Sequence, residues 1–360
     1  MIKFIISAFL LVSSHFALAV DTDKQLNEML EKVRSENGIP ALSAALIKPD
    51  TTFFGVSGTS KINGTLDVSL SDKFHIGSNA KAVASFIAMK MVENGLLSLE
   101  STIIEIFPEW KGNIKSEFES VTLDDLLSHN AGIQPYTSGE EYLKLPELKG
   151  TILEKRKAFA KFVLNEPIVE NGTYSNAGYI IAAAMLENIS QKSYSELLEN
   201  TMKELGLDYF IGFPNKQDIS YPWGHWLAED QLTALPPEHF YKLEDFAAPA
   251  GDISMNIIDY SKFIRKHLLG LNNTGNYLRS STYKKLHFGK ENYAYGWGNA
   301  EINGVKVSFH DGSAGTFYCH VMIIPKSKVA VIIMSNSAEQ EHINAIYQLR
   351  ESILIEFFNR

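Results

Sequence analysis

Strand-like segments stand at both ends of this chain and helical ones fill its middle, and that order restricts the folds open to it. Ala41–Lys48 is a compact apolar run without helical caps, and Thr52–Val56 is rich in β-formers. Gly58 and Asn63-Gly64 punctuate the next stretch, so the pair reads as a hairpin. Towards the C-terminus, Tyr293–Ile302, Val305–His310, Phe317–Ile324 and Val329–Met334 are strand-like and separated by turn signals. From Ser78 to about Leu271 the pattern is mostly helical. Asn79–Asn94 is the strongest helix, with Val83, Phe86, Ile87 and Met91 on one face and Gly95 as its stop. Thr122 caps a short helix that ends at Asn130-Ala131-Gly132. Ala177–Ile189, Tyr194–Leu205 and Ile257–Leu269 are further helices, and Asp21–Asn37 and Glu339–Phe358 lie outside the strands. The pattern predicts an α/β (α+β) chain: one antiparallel sheet built from both chain ends and flanked by helices. A mostly helical lobe is inserted, with a cleft at the seam. The sheet part takes about residues 20–77 and 290–360, the helical part about 78–289.

The first nineteen residues read as a secretory signal. Lys3 is the basic head, Phe4 to Val12 the apolar stretch, and Ala17-Leu18-Ala19 the cleavage site, so the mature chain is expected to start at Val20. The apolar run is too short to span a bilayer, so no stable membrane anchor is expected after signal removal. The expected location is the periplasm or the medium. Net charge is −9, with 33 basic against 42 acidic residues, a poor balance for nucleic acid or anionic lipid. The single cysteine, Cys319, lies in an apolar-rich run and excludes an internal disulfide framework. There is no long linker, repeat or low-complexity stretch, so the two lobes read as subdomains of one unit. No Walker loop, dinucleotide fingerprint, H-E-x-x-H or Cys-rich cluster is present, so neither a cofactor nor a metal is implied. G-x-S-x-G is also absent.

Three motifs carry chemistry. Ser78-Asn79-Ala80-Lys81 opens the strongest helix, so Ser78 and Lys81 share a face one turn apart. A serine hydroxyl needs a base. A lysine amine can serve if burial or a nearby positive charge brings it down by roughly three units from 10.4. The helix start also sets a positive dipole end where an oxyanion would form. Tyr174-Ser175-Asn176, the only Y-x-N in the chain, offers a phenol as second proton carrier and an amide for a substrate carbonyl. Lysine and tyrosine form a coupled pair in which either could be the primary base. His310-Asp311-Gly312 supplies a third wall. Gly312 leaves room for a ligand's approach, and the backbone N–H groups of Ser78 and Ser313 make a two-donor oxyanion hole.

These motifs, in this order, resemble the β-lactamase-related serine hydrolases, whose set is S-x-x-K, Y-x-N and K-T-G or H-x-G. The resemblance covers nearly the whole mature chain. Leu126-Leu127-Ser128-His129-Asn130-Ala131-Gly132 is similar to the family's LLxHxxG segment. Ala248-Pro249-Ala250-Gly251-Asp252-Ile253-Ser254 is similar to its PAGGxxS stretch, and Tyr295-Gly296-Trp297-Gly298 to its YGxGW turn, with Asn299 in place of the final Trp. The resemblance implies a serine β-lactamase/transpeptidase-like fold. It implies Ser78 as nucleophile, Lys81 and Tyr174 as the proton-transfer pair, Asn176 as substrate contact and His310 as the third-motif residue. Two decoys test the motifs' specificity: Ser281-Thr282-Tyr283-Lys284 is a second S-x-x-K and His287-Phe288-Gly289 a second H-x-G, both in a polar stretch with no Y-x-N downstream. His129 reads as a packing or capping residue. His225, between Trp223 and Trp226, reads either as a pocket wall or as part of an aromatic cluster.

Departures from the family pattern bear on substrate. A K-T-G lysine suits a substrate carboxylate, whereas His310 is mostly neutral near pH 7 if unperturbed. Asp311 repels a carboxylate if it faces the cleft, and turns away if strand alternation takes it to the other face. The expectation is acyl transfer through a covalent Ser78 ester. The substrate is an ester or a D-amino-acid amide, of small-molecule, peptide or peptidoglycan type, in preference to a β-lactam. The alternatives are a β-lactamase or D-Ala-D-Ala carboxypeptidase, and a non-catalytic penicillin-binding-like cell-wall protein.

Overall fold

The structure, a computed structural model, describes residues 21–275 and 277–357. The signal sequence expected over residues 1–19 lies outside them. Six strands form one antiparallel sheet: β1 (Ala41–Ile47), β2 (Thr52–Gly58), β8 (Gly298–Ile302), β9 (Val305–Ser313), β10 (Tyr318–Ile324) and β11 (Val329–Ser335), in the order β2-β1-β11-β10-β9-β8. N-terminal β1 pairs with C-terminal β11, Leu42 opposite Ser335 and Ile47 opposite Ala330, so the sheet is closed by both chain ends as the sequence predicts.

Both faces of this sheet are covered, which is why β1 and β11 read as near-continuous apolar runs, with Ser43 the one interior exception, rather than alternating ones. Along β1, Leu42, Ala44 and Leu46 face one core and Ala41, Ala45 and Ile47 the other. Along β11, Val329, Val331 and Ile333 part in the same way from Ala330, Ile332 and Met334. The first core is closed by helices α1 (Lys24–Asn37) and α5 (Gln340–Phe357), through Leu26, Leu30, Ile346, Leu349, Ile353 and Phe357. The second, larger core joins the sheet to α2 (Ala80–Glu93), α3 (Asn176–Ser190) and α4 (Ile257–Leu271). Each such side chain contributes about 1.5–3 kcal/mol on full burial. Helix α4 packs on β1 and β11, so a helix from the middle of the chain serves the sheet layer.

Local signals place most boundaries. Asp23 caps α1 through Leu26 N, and Gly38 ends it at φ +68°. Thr122 forms the capping box of Leu123–Leu127 with Asp125. Strand Tyr293–Ile302 is shorter than expected: only Gly298–Ile302 is β8, and Tyr293 is joined to it by a single bridge to Gly298. The middle of the chain is less helical than expected. Strands β3 (Lys73–His75), β4 (Phe210–Ile211) and β7 (Ile253–Asn256) form a small sheet in the order β3-β7-β4, and β5 (His225–Ala228) pairs with β6 (Gln231–Ala234). These pieces are two to four residues long, too short for alternation to register. The β3–β7 pair matters most for the site. It sets the turn after β3, which carries Ser78, beside the helical turn Ala248–Gly251 that precedes β7.

Candidate active site

Ser78 sits in the 3₁₀ turn Gly77–Asn79 that leads into α2. Two glycines allow that turn to touch the end of β9. A Cβ on Gly77 (φ +52°) would lie 2.5 Å from Ser313 N, and one on Gly312 would lie 2.0 Å from Ile76 O. What approaches Gly312 is therefore the chain's own backbone and not a ligand, contrary to the sequence expectation. Asn79, whose role no sequence signal announces, ties the same region together, donating through Nδ2 to Ile76 O (3.2 Å) and to Cys319 O (2.9 Å). Cys319 is buried, and burial raises its thiol well above its ordinary value, in keeping with an inert side chain.

Helix α2 is apolar almost all round, so Lys81 in its first turn is wholly buried. Its Nζ has three partners: Ala250 O at 2.6 Å, Asn176 Oδ1 at 2.6 Å and Ser78 Oγ at 3.2 Å. No carboxylate is among them. Burial alone holds the amine well below the ordinary lysine range. The orientation of Asn176 is set by its surroundings. Its Nδ2 donates to Tyr136 O (2.9 Å) and its backbone N–H to Pro135 O (2.7 Å), so Oδ1 turns to Lys81.

Tyr174 precedes α3, whose N-cap is Ser175. Burial raises its phenol above its ordinary value, against a smaller lowering from the nearby Ser78 hydroxyl. Lys81 Nζ lies 4.8 Å from the Tyr174 ring centre, so the hydroxyl, the amine and the phenol from distant stretches converge. His129 packs on the Tyr174 ring at 4.3 Å and accepts the Ser175 N–H at Nδ1, the packing role expected of it. Burial, with Lys81 and His310 nearby, lowers its imidazole to about 2.

His310 is buried on the cleft side of β9. Its Nδ1 donates to Asp311 O (3.0 Å), which leaves Nε2 to accept from the Tyr293 hydroxyl (3.3 Å). Burial, and then Lys81, bring the imidazole down to about 4, so it is neutral at pH 7. Tyr293, which the sequence pattern makes the first residue of a strand, stands instead between His310 and Tyr174. Its hydroxyl also reaches that of Tyr179 (3.4 Å).

Asp311 is not with them. Its carboxylate lies on the opposite face of β9, bonded to Tyr318 (2.7 Å), His320 (2.7 Å) and Tyr347 (3.1 Å). Burial acts to raise its pKa, but the His320 and Tyr318 bonds outweigh this and hold it below its ordinary value. Strand alternation therefore removes Asp311 from the cleft contacts among which the sequence counts it. His225 is likewise a packing residue, accepting from Ile62 N (2.9 Å) and bonded to Asn336 O (2.8 Å).

A cavity of about 280 Å³ opens beside Asn176, Ala250 and Gly251. Its walls include Tyr136, Tyr142, Leu143, Tyr241 and Leu243, and one residue of each charge, Lys242 and Glu244. Among the described residues no cluster of three or more His, Cys, Asp or Glu is placed to hold a metal, and no helix is long and apolar enough to cross a membrane.

Residues 25–352 match the family described as Beta-lactamase. The protein flp of Staphylococcus aureus (strain COL) is 22% identical over 346 residues, spanning 91% of this chain and 67% of its own length. The octameric penicillin-binding protein homologue from Pyrococcus abyssi superposes with a TM-score of 0.73 at 23% identity, covering 91% of this chain and 77% of that one. The class C beta lactamase from Rhodobacter sphaeroides does so with 0.72 at 18% identity, covering 92% and 100%. With a match of this extent added to the sheet closed by both chain ends, the chain belongs to the β-lactamase and penicillin-binding-protein-like family, a family of serine hydrolases.

Proposed function

We propose that this protein is an exported serine hydrolase that cleaves esters, or amides of D-amino acids, through a covalent Ser78 acyl-enzyme, and that it turns over β-lactams poorly. One observation carries the mechanism. The two carbonyl oxygens at 2.6 Å from Lys81 Nζ take two N–H groups, and a neutral amine has only two. In the neutral form that burial favours, the remaining lone pair faces Ser78 Oγ at 3.2 Å, where a general base belongs. The depressed amine and the raised phenol favour the same assignment, with Lys81 as base and Tyr174 as a protonated carrier.

In the acylation step Lys81 takes the Ser78 proton as Oγ attacks the substrate carbonyl. The oxyanion is received by the backbone N–H groups of Ser78 and Ser313, each such donor being worth about 3–4 kcal/mol. As the carbon–oxygen or carbon–nitrogen bond breaks, Tyr174 gives its proton to the leaving group and regains one from Lys81. Water then attacks the ester, losing a proton to the same pair, and Ser78 leaves as the hydroxyl.

The third-motif position supports a substrate without a carboxylate. His310 is neutral at pH 7 and offers no permanent cation to a carboxylate. The adjoining cavity is walled by tyrosines and leucines, with its charges balanced. The test is parallel turnover of a short-chain p-nitrophenyl ester, D-alanine p-nitroanilide and a chromogenic cephalosporin. Ester or anilide cleavage is expected to be the fastest. Rapid cephalosporin hydrolysis with slow ester cleavage overturns the substrate assignment.

A further inference from the structure

The stretch that resembles PAGGxxS carries Asp252 in place of the second glycine. That carboxylate is not spare. Its Oδ1 lies 3.0 Å from Nε2 of His75, and both residues are nearly inaccessible, His75 at 0% and Asp252 at 6%. The other ring nitrogen, His75 Nδ1, accepts the backbone N–H of Gly77 at 3.1 Å. Those two contacts decide the tautomer. Nδ1 must be the bare acceptor, so Nε2 carries the proton and donates it to Asp252. The ring plane is held as well, stacked on Phe213 at 4.9 Å and 28°.

The same segment reaches the site a second time, because Ala250 O is one of the two carbonyls that fix Lys81. The contacts therefore close a circuit. Ser78 bonds to Lys81, Lys81 to Ala250, and Asp252, two residues on, to His75. His75 bonds to Gly77, the neighbour of Ser78. Across the turn from His75, the end of β9 presses on Gly77 through Ser313 and Gly312. A left-handed peptide gripped from both sides has little freedom.

We propose that His75 and Asp252 are a positioning pair that holds the Ile76–Gly77 peptide, and with it Ser78 Oγ one residue on, in register with Lys81. The proposal rests on Ser78 being the nucleophile. Neither residue touches substrate. The pair acts through one backbone N–H, and a displacement of about 1 Å at a reacting atom can cost about a hundredfold in rate.

The test is the rate of Ser78 labelling by a fluorophosphonate, followed by intact mass on the full chain. Thermal melts report the folded fraction, and ester hydrolysis separates kcat from KM. His75→Phe keeps the stacking and loses both hydrogen bonds. It is expected to slow labelling about 10- to 100-fold and to lower kcat with KM little changed. His75→Asn, whose side-chain oxygen takes the place of Nδ1 before Gly77, is expected to recover most of the rate. His75→Gln, which reaches Asp252 but not Gly77, is not. Asp252→Asn, still an acceptor for Nε2–H, stays within a few-fold of wild type. Wild-type labelling rates in folded His75→Phe, or equal slowing in the Asn and Gln variants, overturn the proposal. A wild-type protein that takes no label overturns the Ser78 reading itself and this inference with it.

Discussion

Ser78 and Lys81 open one helix, Ser281 and Lys284 another, with identical spacing, yet only the first pair builds a site. Lys81 is enclosed on all sides, with two carbonyl oxygens and Ser78 as its polar partners. Lys284 lies in water on the helix Ser280–Phe288, with Nζ donating to Asn273 Oδ1 at 2.9 Å, and Ser281 beside it is exposed. The second helix buries Thr282, Tyr283, Leu286 and His287 and leaves its S-x-x-K on the outer face. The two H-x-G motifs part differently. His287 and His310 are both buried, but His287 is locked between His267 (2.8 Å) and Ser308 (2.7 Å), away from Ser78. Spacing brings two groups to one face. Enclosure by acceptors that accept only so many protons turns them into a nucleophile and a base.

The comparison breaks most sharply at the serines. Ser78→Ala is expected to abolish the fluorophosphonate adduct in intact mass and all ester turnover, while Ser281→Ala keeps both at wild-type rates. An adduct that survives in Ser78→Ala moves the nucleophile elsewhere. At the lysines the effect is smaller but still large. Lys81→Met is expected to slow labelling by about 10²–10⁴, and Lys284→Met to leave it unchanged. Stability tests the buried lysine as well. The folded pKa of Lys81 lies below the value near 10.4 of an unfolded chain. Between the two the unfolded state binds the extra proton, so wild-type stability rises with pH across that window. Relative to wild type, Lys81→Met should therefore be more stable at pH 7 than at pH 10. Melting curves at the two pH values decide it, and a difference between Lys81→Met and wild type that stays constant with pH would remove the case for a buried neutral amine.

One pair could be distinguished from the other in the sequence, while much of the site could not, because the features depend on different things. The helix after Ser78, the hairpin Ala41–Val56 and the closing sheet rest on local periodicity and turn chemistry, and they stand where the spacing predicts. The order S-x-x-K, Y-x-N, H-x-G selects Ser78 and Tyr174 over the decoys, and both stand against Lys81. Backbone acceptors leave no trace in side-chain identity, so Ala250 O and Tyr136 O were illegible. Tyr293 reaches the site by a bend before β8 that a strand reading conceals. Alternation makes the direction of Asp311 a matter of register, which only the β9–β10 pairing decides, with Asp311 set opposite His320. The His75–Asp252 contact spans 177 positions and joins the end of one three-residue strand to the residue before a four-residue one, so neither spacing nor periodicity could announce it.

The finest test separates the two histidines of the H-x-G pairs. At pH 7 the His310 imidazole is neutral and spends one nitrogen on its own strand, so His310→Gln is expected to alter ester hydrolysis by less than about tenfold, below the range of about 10²–10⁴ expected of a general acid or base. His287→Ala, by contrast, deprives His267 and Ser308 of a partner in the core, and should cost about 1–3 kcal/mol of stability while labelling per folded molecule is kept. What His310→Gln should change is the acid limb. The folded value of about 4 lies below the ordinary imidazole value of 6.5, so the unfolded chain binds the extra proton between them and stability falls as pH drops through that window. At 1.36 kcal/mol per unit this amounts to about 3 kcal/mol. The denaturant midpoint of wild type should therefore fall relative to that of His310→Gln as pH drops from 6.5 to 4, and the difference cancels the shared contribution of the other buried imidazoles. Midpoint curves that stay parallel over that range would mean that His310 reaches solvent, and its role as a neutral wall of the cleft would fall with its burial.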